Sequence, residues 1–90
     1  MRLTGRERQP EEERLFRDIA RRVAAERSRR ALTQEELAEL CGTTQSAIAR
    51  IERGLRPPRI DTLLRIANAL DCELQVKLRP RTKPKGRPGR

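Results

Sequence analysis

Five side chains in the middle of the sequence share one face of a short predicted helix: Gln45, Ser46, Ala49, Arg50 and Arg53. Ala47, Ile48 and Ile51 fall on the opposite, apolar face, which must pack inward. A glutamine amide can pair with an adenine edge and an arginine guanidinium with a guanine edge, and small side chains allow close approach. The chemistry on offer is hydrogen bonding to base edges in a DNA groove. A plain helical hairpin with a solvated polar face would show the same polarity.

Two short helices joined by a tight turn would hold this face in place. The first begins with a capping box formed by Thr33 and Glu36, ahead of an apolar set of residues. Gly42 can adopt the positive φ that ends a helix, one of the two threonines after it can cap the second helix, and Gly54 can end that helix. Residues 33–54 therefore predict a helix-turn-helix.

Residues 16–70 resemble the lambda-repressor-like, Xre-type helix-turn-helix domain. The resemblance rests on LTQEELA at 32–38, GTTQS at 42–46 and IARIERG at 48–54, followed by Pro58, Ile60 and the apolar residues up to Leu70. It implies an all-α, five-helix domain that binds double-stranded DNA at a palindromic operator. One departure is Arg59, which stands where such domains often have a Ser or Thr cap.

The resemblance also assigns roles to individual residues. It places three side chains against bases: Gln45, Ser46 and Arg50. It places five others on the DNA backbone: Gln34, Thr43, Thr44, Arg53 and Arg56.

The charge of the chain also favours a nucleic acid partner. The 90 residues carry 22 basic and 13 acidic side chains, a net charge of +9, and contacts with phosphates release counterions. Residues 79–90 hold six basic residues and no acid. Within them, residues 84–88 resemble the core of an AT-hook, which implies that Lys85, Gly86 and Arg87 follow an A·T-rich minor groove. The alternatives are a solubilising disordered tail, or a charge-driven architectural or RNA-binding module, although a single aromatic residue disfavours stacking on RNA bases.

The remaining segments complete the expected organisation. Residues 1–10 should be a flexible arm and residues 11–71 the helix-turn-helix domain, with a first helix over about 11–28 and a last one ending near Asp71. Residues 72–79 should be a strand and residues 80–90 a basic disordered tail.

The strand prediction comes from four apolar residues that alternate with polar ones: Cys72, Leu74, Val76 and Leu78. A single strand needs a partner for its backbone. The economical answer is a homodimer in which these four residues form the contact and the strand pairs with its own copy. The alternatives are that the segment stays helical or pairs with residues 2–6.

A helix-turn-helix domain followed by this strand resembles the antitoxins of the HipB and HigA kind, which repress their own operons and bind a toxin. That resemblance implies a possible toxin partner, for which the glutamates near the starts of the first two helices are a candidate surface. The alternative is a plain repressor with no toxin.

Enzymatic and metal-dependent functions find no support in the sequence. The chain has no histidine, no glycine-rich phosphate loop and no close cysteine pair, so we expect no catalytic residue, metal site or cofactor. Cys41 and Cys72 are expected to act as small buried residues. No apolar run resembles a signal peptide or a membrane span, so a cytoplasmic, nucleoid-associated protein is expected.

Overall fold

The structure, a computed structural model, describes residues 9–82. This part of the chain contains four α-helices. They are α1 (Pro10–Arg29), α2 (Gln34–Cys41), α3 (Gln45–Arg53) and α4 (Ile60–Ala69). α2 packs against α3 and α4, and α1 packs against α3. Leu37, Ile48 and Ile66, one from each of α2, α3 and α4, are fully buried at the centre of the core. None of the four helices has both the length and the hydropathy of a bilayer-crossing segment.

The ends of α2 and α3 follow from local hydrogen bonds. The hydroxyl of Thr33 accepts from the backbone N–H of Glu36 at 3.0 Å, and the Glu36 carboxylate accepts from the N–H of Thr33 at 2.8 Å. This reciprocal pair confirms the predicted capping box. Thr44 is the residue that caps α3, since its hydroxyl accepts from the N–H of Ala47 at 3.1 Å. Gly42 and Gly54, with φ of 72° and 73°, end the two helices.

Gly54 also lies close to α1. A Cβ atom at this position would lie 3.4 Å from both the Arg17 Cα and the Ala20 Cβ of α1. By contrast, a Cβ at Gly42 would have no atom within 4 Å. The absence of a side chain at Gly54 therefore lets the end of α3 rest directly on α1.

The predicted fifth helix and C-terminal strand are not confirmed. The described residues hold four helices, and residues 72–82 form neither a helix nor a strand. The chain leaves α4 through Asp71, whose φ of 55° is left-handed, and Cys72 then donates its N–H to the Ala67 carbonyl at 2.7 Å. Within residues 9–82 no second strand is present to pair with this segment, so the ladder expected from the alternating pattern does not form there.

Two predicted segments lie outside the described residues. Nearly all of the expected N-terminal arm falls in residues 1–8, and the expected minor-groove residues Lys85, Gly86 and Arg87 fall in residues 83–90.

Candidate nucleic-acid interface

The outward face of α3 carries the side chains that the sequence singled out. Gln45, Ser46, Arg50 and Arg53 are exposed, whereas Ile48 and Ile51 are buried. The fold therefore brings the three expected base-contacting residues together on one helical surface. Of the expected backbone-contacting residues outside α3, Thr44 and Arg56 are exposed and Gln34 and Thr43 are half-buried.

The electrostatic character of this surface is basic. Between residues 42 and 59 the chain has four arginines and one acid, Glu52. The first turn of α3 contains no acidic side chain, whereas those of α1 and α2 do. The N-terminal end of a helix carries a partial positive charge, and at the start of α3 no acidic side chain of the first turn offsets it. An anion such as a phosphate suits this end of α3.

A chain of hydrogen bonds links the start of α3 to α1, and we call it the Arg27–Gln45 network. The Gln45 amide donates to the Gln34 side-chain oxygen at 2.6 Å, and the Gln34 amide donates to Glu52 Oε1 at 2.9 Å. Arg27 donates to the same carboxylate from Nε at 2.7 Å and from Nη2 at 3.0 Å. A further bond runs from Arg27 Nη1 to the Leu32 carbonyl at 2.8 Å. The network thus joins α1, α2 and both ends of α3.

The direction of every bond in the Arg27–Gln45 network follows from Glu52. An ionised carboxylate can only accept hydrogen bonds, so Gln34 must turn its NH₂ group towards Glu52 and its oxygen towards Gln45. Gln45 must then turn its own NH₂ group towards Gln34. One N–H and the carbonyl oxygen of Gln45 remain available. These are the two groups with which glutamine pairs with adenine.

Glu52 is held in its ionised form. Desolvation by burial raises its pKa, but hydrogen bonds from Arg27 and Gln34, together with the Arg27 charge, outweigh this, and the pKa lies below its ordinary value of 4.5. The hydrogen bond to Glu52 in turn raises the pKa of Arg27. The side chains of Arg27 and Glu52 are only 18% and 8% exposed. This ion pair is therefore much less screened by water than a surface pair would be.

Arg27 and Glu52 are residues that the sequence did not predict as part of the site. From the sequence, Arg27 is explained by its place near the C-terminal end of α1, where the helix dipole favours a basic residue. The available signal was that Glu52 is the one acid among the arginines of its region. The structure also assigns Gln34, expected on a phosphate, to a position between Glu52 and Gln45.

The helix-turn-helix fold of this chain is similar to that of known proteins. The HTH_3 helix-turn-helix family matches residues 23–77. The crystal structure of the restriction-modification controller protein C.AhdI from Aeromonas hydrophila superimposes with a TM-score of 0.65 and 33% identity, over 68% of this chain and 88% of that one.

Two larger proteins match in the same region. The structure of an HTH_3 family transcriptional regulator from Vibrio cholerae gives a TM-score of 0.66 and 31% identity, over 69% of this chain and 35% of that one. An uncharacterised HTH-type transcriptional regulator of Sinorhizobium fredii, y4dL, is 39% identical over 56 residues, or 62% of this chain. The chain spans only 29% of the length of that relative. With its helix-turn-helix geometry and a family match over more than half its residues, the chain belongs to the HTH_3 helix-turn-helix family of DNA-binding transcriptional regulators.

Proposed function

We propose that this chain is a sequence-specific repressor that reads a palindromic operator in double-stranded DNA as a homodimer. The observation that carries the proposal is the exposed polar face of α3, with the Gln45 amide oriented by the Arg27–Gln45 network. A side chain already held in one orientation loses less conformational entropy on binding than a free one. In a cytoplasmic protein at the nucleoid, occupation of the operator would block transcription sterically.

Each side chain on this face has a distinct role in the proposal. Gln45 pairs with adenine through its remaining N–H and its oxygen, Arg50 pairs with guanine, and Ser46 contacts a base edge at close range. The hydroxyl of Thr44 accepts the capping bond from Ala47, which leaves its own hydrogen for a phosphate oxygen. The remaining contacts with the DNA backbone come from Gln34, Thr43, Arg53 and Arg56.

Selection of bound duplexes from a random pool, with excess nonspecific competitor, tests sequence specificity. Recovery of an inverted repeat with half-sites about one helical turn apart supports the proposal. Loss of all binding in the presence of competitor would move the assignment to a charge-driven architectural or RNA-binding module.

Matched arginine variants test the assigned roles. On the recovered site, Arg50→Ala should cost roughly 1 to 3 kcal/mol and relax preference at one base pair. Arg53→Ala should weaken binding on all sequences and reduce the salt slope by about one. An equal loss for Arg50→Ala on cognate and random DNA would mean that Arg50 contacts only phosphate.

The basic tail extends the proposal beyond the described residues. Lys85, Gly86 and Arg87 would follow an A·T-rich minor groove beside the major-groove site. Truncation after Pro80, which keeps residues 72–79, removes five basic residues, and it should lower both the affinity and the salt slope. If neither quantity changes, the tail contributes only solubility.

Two more specific roles fit a repressor of this kind. An antitoxin is suggested by the C-terminal segment and by exposed glutamates on α2, among them Glu35 and Glu39. A controller of a restriction-modification operon is suggested by the similarity to C.AhdI, which covers 88% of that protein. Footprinting upstream of the chain's own gene tests autoregulation. Co-purification with the product of the neighbouring gene would favour the antitoxin, whereas a neighbouring endonuclease that this chain regulates without binding would favour the controller.

A further inference from the structure

A groove of about 580 Å³ opens between α1, α4 and the residues that follow α4. Leu15 and Ile19 of α1, Leu63 and Ala67 of α4, and Leu74 give it an apolar lining. Leu15 is 56% exposed in the single chain. The groove therefore has an apolar lining that the described part of the chain leaves open at Leu15.

The start of the C-terminal segment is fixed beside this groove. Besides the bond from its N–H to Ala67, Cys72 packs against the core, and Arg30 Nη2 lies 3.7 Å from its sulfur. Leu74 lines the groove, whereas Val76 and Leu78, two and four residues further along the chain, are 69% and 98% exposed. Two apolar side chains of the segment, Val76 and Leu78, therefore lie outside the groove of their own chain.

Only part of this segment has backbone N–H and C=O groups that could pair with another strand. Among the described residues, none after Cys72 takes part in a backbone–backbone hydrogen bond. Cys72 has already committed its N–H, and Pro80 has none to offer. The stretch that can form a strand ladder is therefore residues 73–79, and its midpoint is Val76.

From this we infer that the groove of each copy binds Leu78 of a second copy, through antiparallel pairing of residues 73–79 about a two-fold axis at Val76. The inference rests on the homodimer of the proposed function. In this register Leu78 lies directly opposite the partner's Leu74, which already lines the partner's groove. Directly opposed side chains in an antiparallel pair are about 4.5 to 5.5 Å apart, so Leu78 reaches the groove beside Leu74.

The polar face of the segment fits the same register. Glu73 falls opposite the partner's Arg79, and Gln75 falls opposite the partner's Lys77, so each pair is attractive or neutral. The charged residues that line the groove are three acids and one base: Asp18, Glu26, Glu73 and Arg22. The pairing residues 73–79 carry two basic residues and one acid. Asp18 and Glu26 already form ion pairs with arginines in or directly after α1, so the complementary charges that a second copy adds are those of Arg79 against Glu73.

Other registers fit less well. In a register that pairs even-numbered residues with odd-numbered residues of the partner, Leu74 and Leu78 lie opposite polar side chains. Centring on Gln75 extends the ladder into Cys72, whose N–H is already bonded. Centring on Lys77 sets Leu74 opposite Pro80, which lacks a donor.

Three variants, each with one introduced cysteine, test the register in a Cys72→Ser background in which the native Cys41 stays buried. Val76→Cys should form a disulfide-linked dimer on mild oxidation, because opposed Cα atoms in an antiparallel pair lie within the range that a disulfide spans. Gln75→Cys and Lys77→Cys should cross-link slowly, since each lies on the diagonal from its own copy. Faster cross-linking of either one would overturn the register.

Sedimentation of the full chain tests the groove separately. Leu15→Gln, a change on α1 outside the segment, should weaken dimerisation by about tenfold or more. Leu40→Gln is the matched control, because Leu40 is 60% exposed on α2 and does not line the groove. A dimer unaffected by Leu15→Gln would overturn groove docking and leave strand pairing in place. A chain that stays monomeric at all concentrations would overturn the homodimer itself, whereas DNA selection tests base reading independently of either result.

Discussion

Replacing Glu52 with Gln removes the charge on which the Arg27–Gln45 network depends while keeping the size of the side chain. The carboxylate accepts three hydrogen bonds, two from Arg27 and one from Gln34. A glutamine has one oxygen, so at least one of these donors meets an NH₂ group instead of an acceptor. The Glu52→Gln variant should therefore fold with the same helices but with a disturbed network.

The expected loss of stability follows from the kind of bond removed. A hydrogen bond to a charged group contributes about 1.5 to 3 kcal/mol, and leaving a buried donor unpaired adds to the cost. Because Glu52 is 8% exposed, little water can replace the lost partner. We expect the free energy of unfolding to fall by about 2 to 3 kcal/mol, which lowers the Tm of a domain this small by on the order of 10 °C.

The pH dependence gives an independent test of the same ion pair. The pKa of Glu52 lies below its ordinary value of 4.5 in the folded chain, so its stabilising effect is complete above that pH. The effect is lost as the pH falls below about 4.5 and through the folded pKa. The difference in stability between the wild-type and Glu52→Gln chains should consequently shrink in acid. Glu26, whose pKa a hydrogen bond from Arg30 lowers, is present in both chains and does not affect the comparison.

Urea denaturation of the two chains between neutral pH and about pH 3 measures both quantities. Glu39→Gln is the control, because it makes the same change of charge at an exposed position on α2. On cognate DNA, Glu52→Gln should also lose about 1 kcal/mol of discrimination at the base that we propose Gln45 contacts, since the Gln34 amide is no longer held in one orientation. A Glu52→Gln chain as stable as the control, with an unchanged pH profile, would refute this reasoning.

Three further predictions concern backbone and caps, and urea denaturation checks each. Thr44→Ala should destabilise the chain by about 1 kcal/mol through loss of the α3 cap, whereas Thr43→Ala should have little effect. Gly42→Leu should lower the free energy of unfolding by about 1 to 2 kcal/mol, because Gly42 has a left-handed φ. Gly54→Leu should lower it by about 1 to 3 kcal/mol more, because the new side chain meets α1. Equal losses for the two variants would contradict the close approach of Gly54 to α1. Ala31, exposed and with φ of 56°, should tolerate Asn with a gain of about 0.5 to 1 kcal/mol.

The parts of the fold that local chemistry determines were predictable from the sequence. The capping box at Thr33 and the glycines at 42 and 54 define α2 and α3 because each acts on backbone atoms within four residues. The exposed face of α3 was also predictable, since Ile48 and Ile51 can only turn inward.

Features that depend on distant residues were not predictable in the same way. The partner of Arg27 lies 25 residues further along the chain, and helical periodicity says nothing about which side chain of another helix it meets. The pattern at residues 72–79 predicts a strand, which is not confirmed among the described residues. A strand needs a second strand to pair with, and residues 9–82 do not contain one.

The unpaired backbone of residues 73–79 has a consequence for gene control. If only the paired form occupies an operator, then while most chains are single, occupancy rises with the square of the chain concentration. A cell that doubles its supply of this protein would then gain roughly fourfold in bound complex at low occupancy, as mass action requires. The strand ladder would thus turn a gradual change in synthesis into a sharper response at the promoter.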